Sequence, residues 1–340
     1  MQVGLNLGYT GAAMADALPL VEHAERVGVA SVWVAEAYGS DAVTVLGYLA
    51  GRTERMLLGS AILQIPARTP ATTPMTAMTL DALSCGRLVL GLGVSGPQVV
   101  EGWHGVAYGR PLAKTREYVA IVRQAIAREE ALSYDGEHYR IPYTGPDATG
   151  LGKPLKSILH PVRSRIPIYL AAIGPRNISL AAELADGWLP LFYSPERADV
   201  FADDLRSGFE AAGRAREELH VAALVQVAAG EDVQACRDAL RPTMALYLGG
   251  MGPREQNFYH DLACRYGYEA AADRVQELYL DGHRDEATAA VPDELIDELC
   301  LVGPLPRIRE RLEAWKASDV DTLILGTTQP EVLETICDAL

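Results

Sequence analysis

The chain has 340 residues, 49% hydrophobic and 22% charged, which is the composition of a globular protein long enough to bury a large core. Its 30 Lys and Arg against 45 Asp and Glu give a formal net charge of −15, which argues against nucleic acid or an anionic membrane as a partner. The five cysteines are scattered without a CxxC pair, and the first residues form no signal segment, so we expect a cytoplasmic protein with reduced thiols and no metal site.

Short apolar runs alternate with amphipathic stretches along most of the chain, which indicates repeated strand–helix units. The runs predict eight strands, over residues 2–7, 31–35, 56–63, 88–93, 166–172, 187–191, 220–228 and 322–325. Helices are predicted over residues 16–27, 41–51, 73–83, 114–128, 177–185, 196–212 and 307–317. Eight parallel strands joined by right-handed crossovers close a barrel, so we predict an α/β fold, a single (β/α)8 TIM barrel spanning residues 1–340.

Two segments exceed the needs of a bare barrel and are predicted to be inserts. They cover about residues 132–165, after the fourth strand, and about residues 249–292, late in the barrel. Because the loops at one end of a barrel build its site, we expect both inserts at the functional rim. An open doubly wound sheet is the alternative, but its GxGxxG motif is missing after the first strand and occurs only at residues 91–96.

Polar residues at the ends of the predicted strands are the candidates for chemistry, since barrel sites form there. Glu36 ends the second strand and is either a general acid or hydrogen-bond acceptor, or a charge that stabilises the next helix. Tyr38 follows it, and Asp41 is expected to cap that helix. His104, after the fourth strand, either lines the site or is a surface histidine.

An anion site is suggested by residues 171–177, where an apolar strand runs into Gly-Pro and a helix follows at once. Amide N–H groups at that helix start, with Arg176, suit a phosphate, although a plain turn with Pro early in the helix is the alternative. Arg176 also ends a basic stretch, residues 110–176, with eleven Lys and Arg against six Asp and Glu. That stretch is either a solvated basic face or a docking patch for an anionic ligand.

Sequence motifs at these positions carry a family resemblance over nearly the whole chain. They are the opening VGLNLGY and residues 33–37, 58–63, 68–70, 79–87, 91–97, 172–176 and 185–188. The chain thereby resembles the bacterial luciferase-like superfamily, and within it the coenzyme F420-dependent oxidoreductases related to methylenetetrahydromethanopterin reductase. The TLDALSCGR motif before a GxG strand is typical of the superfamily, and the GLGVSGP and GPRN motifs resemble the deazaflavin-dependent branch.

The resemblance implies an oxidoreductase that passes a hydride between reduced coenzyme F420, a deazaflavin, and a small organic acceptor. The reaction it favours is reduction of a C=C or C=N bond. An FMN-dependent monooxygenase of the same superfamily is the first alternative, and a flavin-binding relative without turnover is the second. The relatives also lead us to expect a homodimer with a small-molecule substrate.

The resemblance also implies where the cofactor lies. It places a non-proline cis peptide at Ala61-Ile62, in a bulge of the third strand that backs the deazaflavin ring, and the phosphate at the start of the helix that follows the fifth strand. The anionic tail is expected to leave over the 132–165 insert. The residues expected to contact the cofactor are Asn6, Ser60, Ala61, Ile62, Gly93, Val94, Ser95, Gly96, Pro97, Gln98, Ala172, Gly174, Pro175 and Arg176.

Two departures from related enzymes limit the chemistry. Relatives that oxidise sugar phosphates have a histidine after the second-strand acid and a glutamate in the fourth-strand loop, where this chain has Ala37 and Val94. The resemblance therefore disfavours a sugar-phosphate dehydrogenase and favours hydride delivery to an electron-poor carbon, with the protein mainly orienting two rings. The proton, where one is needed, is expected from Glu36, Tyr38, His104 or water.

Overall fold

A computed structural model describes residues 1–10 and 13–340 of the chain. Its strands are β1 (Gln2–Asn6), β2 (Ser31–Val34), β3 (Leu57–Ser60), β4 (Leu63–Gln64), β5 (Leu88–Gly93), β6 (Tyr134–Asp135), β7 (Arg140–Ile141), β8 (Ile168–Ala171), β9 (Gly187–Leu189), β10 (His220–Ala229), β11 (Leu301–Gly303) and β12 (Thr322–Gly326). Its α-helices are α1 (Met14–Arg26), α2 (Ala42–Ala50), α3 (Thr72–Leu83), α4 (Pro97–Gly102), α5 (Pro111–Ala127), α6 (Pro175–Leu184), α7 (Ala202–Ala212), α8 (Val233–Ala245), α9 (Phe258–Arg265), α10 (Glu269–Leu280), α11 (Arg284–Ala289), α12 (Asp293–Leu299), α13 (Leu305–Lys316) and α14 (Pro330–Ala339). Within the described ranges, none of these helices has the length and apolar character that a bilayer crossing requires.

Eight strand positions close into a parallel barrel, which confirms the predicted (β/α)8 fold. The strands pair in the order β1–β2–β3–β5–β8–β9–β10–β12, and β12 pairs with β1. The third position is shared by β3 and its continuation β4, which pairs with β5. Because the sheet closes on itself, each position has a neighbour on both sides, and the C-terminal strand ends all meet at one rim.

The elements differ from the predicted ones at several places, and helices α4, α8 and α14 were not predicted. The strand predicted over residues 56–63 is broken after Ser60, and the helix predicted over 196–212 begins with a 3-10 segment, Pro195–Phe201, before α7. The sequence pattern does not indicate β11, which pairs with the last three residues of β10. Three residues are too few for apolar alternation to distinguish a strand from the end of a helix.

Most of the first insert lies at the closed end of the barrel, so the prediction of an insert at the functional rim is wrong for all but the hairpin tip, where Glu137 pairs with Arg110 at the start of α5. Arg163, near the end of the insert, donates from Nη2 to the Leu88 carbonyl oxygen at 2.7 Å, at the N-terminal end of β5. The insert follows α5 rather than a strand, and barrel helices run opposite to the strands, so the chain leaves α5 at the closed end. The β6–β7 hairpin alone turns back along α5, where the Glu117 carboxylate accepts from the His138 N–H at 3.0 Å.

The second insert lies at the rim, as predicted, because its Phe258 ring packs against Gly174, where α6 begins after the C-terminal end of β8. Tyr247, just before the insert, packs against Tyr259 in it, and its hydroxyl is 3.2 Å from that of Tyr9 in the loop after β1. Helices α9 to α12 then return the chain to β11 and α13. One wall of the barrel mouth is therefore built from residues far along the chain.

The barrel interior is filled by side chains packed around Trp33, which is 2% exposed. Its partners in this interior cluster are Val89, Leu189, Ala222 and Ile324. Gly59 makes room for the indole, since a Cβ at that position would lie 2.1 Å from the Trp33 ring. The interior is thus a packed floor, and a ligand site belongs above it, at the rim.

We expect Gly59→Ala to lower the free energy of unfolding by about 1–3 kcal/mol, because the added methyl group overpacks the interior against Trp33. Gly102→Ala is the control, since a Cβ there meets nothing within 4 Å and alanine favours the helix. Urea unfolding followed by tryptophan fluorescence measures both changes. A loss no larger in Gly59→Ala than in Gly102→Ala would contradict the interpretation of Gly59.

Candidate active site

The third barrel position contains a β-bulge at the rim. The alignment of β3 with β5 and that of β4 with β5 differ by one residue, so the third strand carries one residue more than β5 over this interval. The peptide bond between Ala61 and Ile62, inside the bulge, is cis. Both features were implied by the family resemblance, and both are confirmed.

The Ser60 side chain closes the gap that the bulge opens in the sheet. Its Oγ donates to the carbonyl oxygen of Gly91 at 2.8 Å and accepts from the Gly91 N–H at 2.9 Å. A Cβ at position 91 would lie 1.8 Å from the Ser60 carbonyl oxygen, so glycine is required for this approach. Ser60 therefore fixes the bulge, while Ala61 and Ile62 remain partly exposed above the interior cluster.

Glu36, just after β2, forms an ion pair with Arg68 from the segment after β4. Arg68 donates to both carboxylate oxygens, from Nη2 at 2.8 Å and from Nη1, and Nη2 also reaches Asp41 at 3.1 Å. The Glu36 side chain is 10% exposed and the Arg68 side chain 15%. Because both Glu36 oxygens already accept hydrogen bonds, we interpret Glu36 as the anchor of Arg68 rather than as the proton donor that its position suggested.

Neighbouring groups shift the pKa values of Arg68 and Asp41. The hydrogen bond to Glu36 raises the pKa of Arg68 above its ordinary value. Asp41 caps α2, as predicted, by accepting from the Thr44 backbone N–H at 2.7 Å. Burial raises the pKa of Asp41, but the Thr44 hydrogen bonds and the Arg68 charge outweigh burial and hold that pKa below its ordinary value. Arg68 and Asp41 are therefore a fixed cation and a fixed anion at neutral pH.

His104 is held over the third strand by a buried glutamine. Gln64 in β4 is 1% exposed, and its Nε2 donates to the Ala37 carbonyl oxygen at 2.9 Å. Its Oε1 lies 2.9 Å from His104 Nε2. An amide oxygen can only accept, so His104 Nε2 carries the hydrogen and Nδ1 is left for a second partner. His104 is therefore held at the rim beside the end of β4, and its predicted part in the site stays a prediction.

Two exposed aromatic side chains stand beside this histidine. Tyr38 follows β2 and Trp103 ends α4, and their ring centroids lie 6.3 Å apart at an angle of 51°. Tyr38 is 70% exposed and Trp103 is 65% exposed. We call the pair of Tyr38 and Trp103 the aromatic ledge.

The second insert and the loop after β9 build an opposing group of aromatic side chains. Tyr247 packs edge-on against Phe192 and Tyr259, with ring centroids 5.2 and 4.7 Å away, and its hydroxyl meets that of Tyr9. Burial, with smaller contributions from Tyr9 and Tyr259, raises the pKa of Tyr247 well above its ordinary value. The Tyr247 hydroxyl is therefore neutral at physiological pH and available as a hydrogen-bond donor.

Two helices begin at the rim with Gly-Pro and without a capping side chain. Gly96 is the N-cap of α4 and Gly174 that of α6, and a proline follows each. The strands that lead to them, β5 and β8, are adjacent in the barrel, so the two helix starts are neighbours. Arg176, in the first turn of α6, is exposed and has neither a hydrogen-bond nor an ion-pair partner among residues 1–10 and 13–340. Such a helix start suits an anion.

The basic stretch, residues 110–176, does not form a docking patch as a whole, so that alternative is wrong. Arg123 and Arg165 pair with Asp186, which precedes β9 at the closed end of the barrel. Their charges are used in packing there, because the stretch spans a helix and an insert that run away from the rim. Arg176, which lies at the rim, remains a candidate for an anionic ligand.

The other predicted contacts lie at the rim. Asn6 is the last residue of β1, and its side-chain oxygen accepts from the Gly8 N–H at 3.1 Å. The Ala172 carbonyl oxygen, after β8, accepts from Trp188 Nε1 at 2.9 Å. Ser95 has a φ of 59° between β5 and α4. Gly93 ends β5, Val94 and Gly96 lie in this loop, and Pro97 and Gln98 begin α4. Their predicted contact with a cofactor stays a prediction.

Sequence patterns do not reveal the roles of Arg68 and Gln64. Arg68 lies 32 residues from Glu36 and Gln64 lies 40 residues from His104, and no local spacing links either pair. The one available signal is a polar side chain directly after an apolar strand, which applies to Gln64. The partner of each residue becomes visible only when adjacent strands bring the loops together.

Comparison with known proteins agrees with this geometry. A profile of the luciferase-like monooxygenase family matches residues 1–322. The chain belongs to this family. The protein Rv3520c of Mycobacterium tuberculosis, which carries the name of a coenzyme F420-dependent oxidoreductase, is 47% identical over 334 residues, covering 97% of this chain and 96% of the relative.

More distant members of the family show the same likeness. The 5,10-methylenetetrahydromethanopterin reductase of Archaeoglobus fulgidus is 28% identical over 309 residues, covering 90% of this chain and 88% of the relative. The solved structure of the coenzyme F420-dependent tetrahydromethanopterin reductase of Methanopyrus kandleri matches with a TM-score of 0.81 at 22% identity, covering 100% of this chain and 98% of that one. The predicted resemblance, and with it an oxidoreductase as the class of enzyme, is confirmed.

We expect Arg68→Met to lower the free energy of unfolding by about 3–5 kcal/mol, because Glu36 is left buried without its partner. Arg52→Met is the matched control, since the side chains of Arg52 and Glu22 are 46% and 40% exposed and such pairs contribute about 0–1 kcal/mol. Adding Glu36→Gln to Arg68→Met removes the buried charge and restores part of the loss. Equal losses for the two arginine variants, measured by urea unfolding, would contradict a structural role for the ion pair.

Proposed function

We propose that this protein uses reduced coenzyme F420 as a hydride donor and reduces a C=C or C=N bond of a small organic acceptor. The observation that carries the proposal is the combination, at one rim, of the bulged third strand with Arg176 at an uncapped helix start. At the bulge, the partly exposed residues Ala61 and Ile62 offer a surface for a flat ring, and the start of α6 offers a site for a phosphate. The 47% identical relative supports the same cofactor.

The residues at the rim fit the group that the family implies. The start of α6 has no capping side chain, and Arg176 is exposed there without a partner among the described residues, which suits a phosphate. Gly174, Pro175 and Arg176 would hold the phosphate, and Ala61 and Ile62 would support the ring. When bound, the reduced deazaflavin supplies a hydride, which together with one proton reduces the acceptor double bond by two electrons.

The protein's own contribution is to position the acceptor and supply the proton. Glu36 is bound on both oxygens by Arg68, and Ala37 and Val94 replace the histidine and glutamate of sugar-phosphate dehydrogenases. A paired acid and base for alcohol oxidation is therefore not assembled from these positions. His104 is the group that we propose as proton donor, because Gln64 holds it at the end of β4, next to the bulge; it would give up an Nδ1 proton while Nε2 stays bonded to Gln64.

A titration with two cofactors, followed by anaerobic turnover, tests the proposal. We expect the protein to bind coenzyme F420 at least tenfold more tightly than FMN, and the bound reduced deazaflavin to be oxidised without oxygen when an enone or an imine is added. Tighter binding of FMN, with oxidation that requires oxygen, would favour a monooxygenase. Tight binding of either cofactor without oxidation by any acceptor would favour a relative without turnover.

We expect Arg176→Glu to weaken coenzyme F420 binding by about 1.5–3 kcal/mol, which is roughly a ten- to hundredfold rise in Kd, because a charge-assisted hydrogen bond to the phosphate is lost. Arg309→Glu is the matched control, since Arg309 is also exposed, lacks a partner among the described residues and lies on α13. Fluorescence titration of each variant measures the Kd. Equal effects of the two charge reversals would show that net charge, and not a phosphate contact, controls affinity.

A further inference from the structure

We propose that the aromatic ledge selects the acceptor, and that the acceptor is a planar, conjugated and uncharged molecule of the aryl enone class. The inference rests on the proposed hydride transfer and names the substrate that the transfer would use. Tyr38 and Trp103 are 70% and 65% exposed, whereas the other three tryptophans of the chain are at most 2% exposed. A large exposed aromatic pair at a barrel rim is the usual sign of a binding surface.

The position of the ledge ties it to the reaction site rather than to the outer surface. Tyr38 comes from the loop after the second strand and Trp103 from the helix after the fourth position, so the pair spans the third strand with its bulge. His104, next to Trp103 in sequence, contacts Gln64 at the end of that strand. A ring stacked on the ledge would therefore place its attached double bond beside the backbone that we propose supports the deazaflavin.

The geometry of the ledge favours a flat ligand. The two rings touch each other at 51°, so they form a tilted shelf with open faces and do not leave a slot between them. Aromatic rings gain about 0.5–1.5 kcal/mol from such contacts beyond the area that they bury. An aliphatic acceptor of similar length would gain only the smaller apolar area.

The charges near the ledge favour an uncharged ligand. The guanidinium of Arg68 is committed to Glu36 and Asp41, so it is not available to an anionic acceptor. An anionic acceptor would therefore not find the Arg68 guanidinium as a free partner, whereas a neutral enone needs none.

The proposed step is balanced. The hydride from the reduced deazaflavin forms a C–H bond at the β-carbon of the enone, and a proton from His104 or solvent forms one at the α-carbon. The C=C bond becomes a single bond, so the acceptor gains two electrons and the cofactor loses two. No further oxidant or reductant is required.

Fluorescence without cofactor tests the ledge directly, because Trp103 is the exposed tryptophan. The probes are benzylideneacetone and ethylideneacetone, two enones that differ by a phenyl and a methyl group. We expect saturable quenching by benzylideneacetone, after inner-filter correction, with a Kd that rises about tenfold in Tyr38→Ala and is unchanged in Tyr48→Ala. Tyr48 is the matched control, being 47% exposed on α2.

Turnover with reduced coenzyme F420 is the second measurement. We expect Trp103→Ala and Tyr38→Ala to raise KM for benzylideneacetone about tenfold while KM for ethylideneacetone changes less than twofold. Trp103→Phe is expected to keep KM for benzylideneacetone within about threefold of the wild type, and the Kd of the cofactor is expected to stay unchanged in all of these variants.

Three outcomes would overturn the proposal. They are equal quenching by both enones, a quenching Kd that Tyr38→Ala does not change, and a change of oligomeric mass in Trp103→Ala, which would assign the ledge to a second copy of the chain. Selective quenching without any deazaflavin-dependent turnover has a different meaning. It would support the ledge as a binding surface and reject the proposed function.

Discussion

The two hydrogen bonds between Ser60 and Gly91 decide the shape of the rim. They replace the regular ladder where the third strand carries an extra residue, and the strand resumes as β4 one residue out of step with β5. In a strand, a shift of one residue moves every following side chain to the other face. The buried position of Gln64, and through it the placement of His104, follows from this shift.

Individual ion pairs, and not the net charge of −15, decide where positive charge is available in this protein. Arginine–carboxylate pairs at the closed end, such as Arg123 with Asp186, neutralise part of the positive charge of the basic stretch, residues 110–176. At the rim, Arg68 is similarly committed to Glu36. Arg176 differs from these, because no described residue accepts from it, and that difference rather than the total charge marks a place for an anion.

Local patterns account for much of the fold and part of the site. Apolar alternation and chain order predicted the barrel positions, and the placement of Glu36 and Asp41 at the end of one strand and the start of the next helix was visible without a structure. The partner of Glu36 was not visible, since Arg68 is 32 residues away and belongs to a different loop. The contact of Tyr38 with Trp103 was equally hidden, because it depends on the spacing of the second and fourth barrel positions.

The position of the first insert shows most clearly what local sequence patterns do not predict. Residues 132–165 are predicted to form an insert at the rim, but they follow a helix, and the chain leaves a barrel helix at the closed end. By itself, the sequence determined the order of strands and helices and the family resemblance, because hydrophobic period and motifs are properties of neighbouring residues. The tertiary structure decided which loops meet, how Glu36 and His104 are held and which side chains stay exposed, because these depend on closure and register across the barrel.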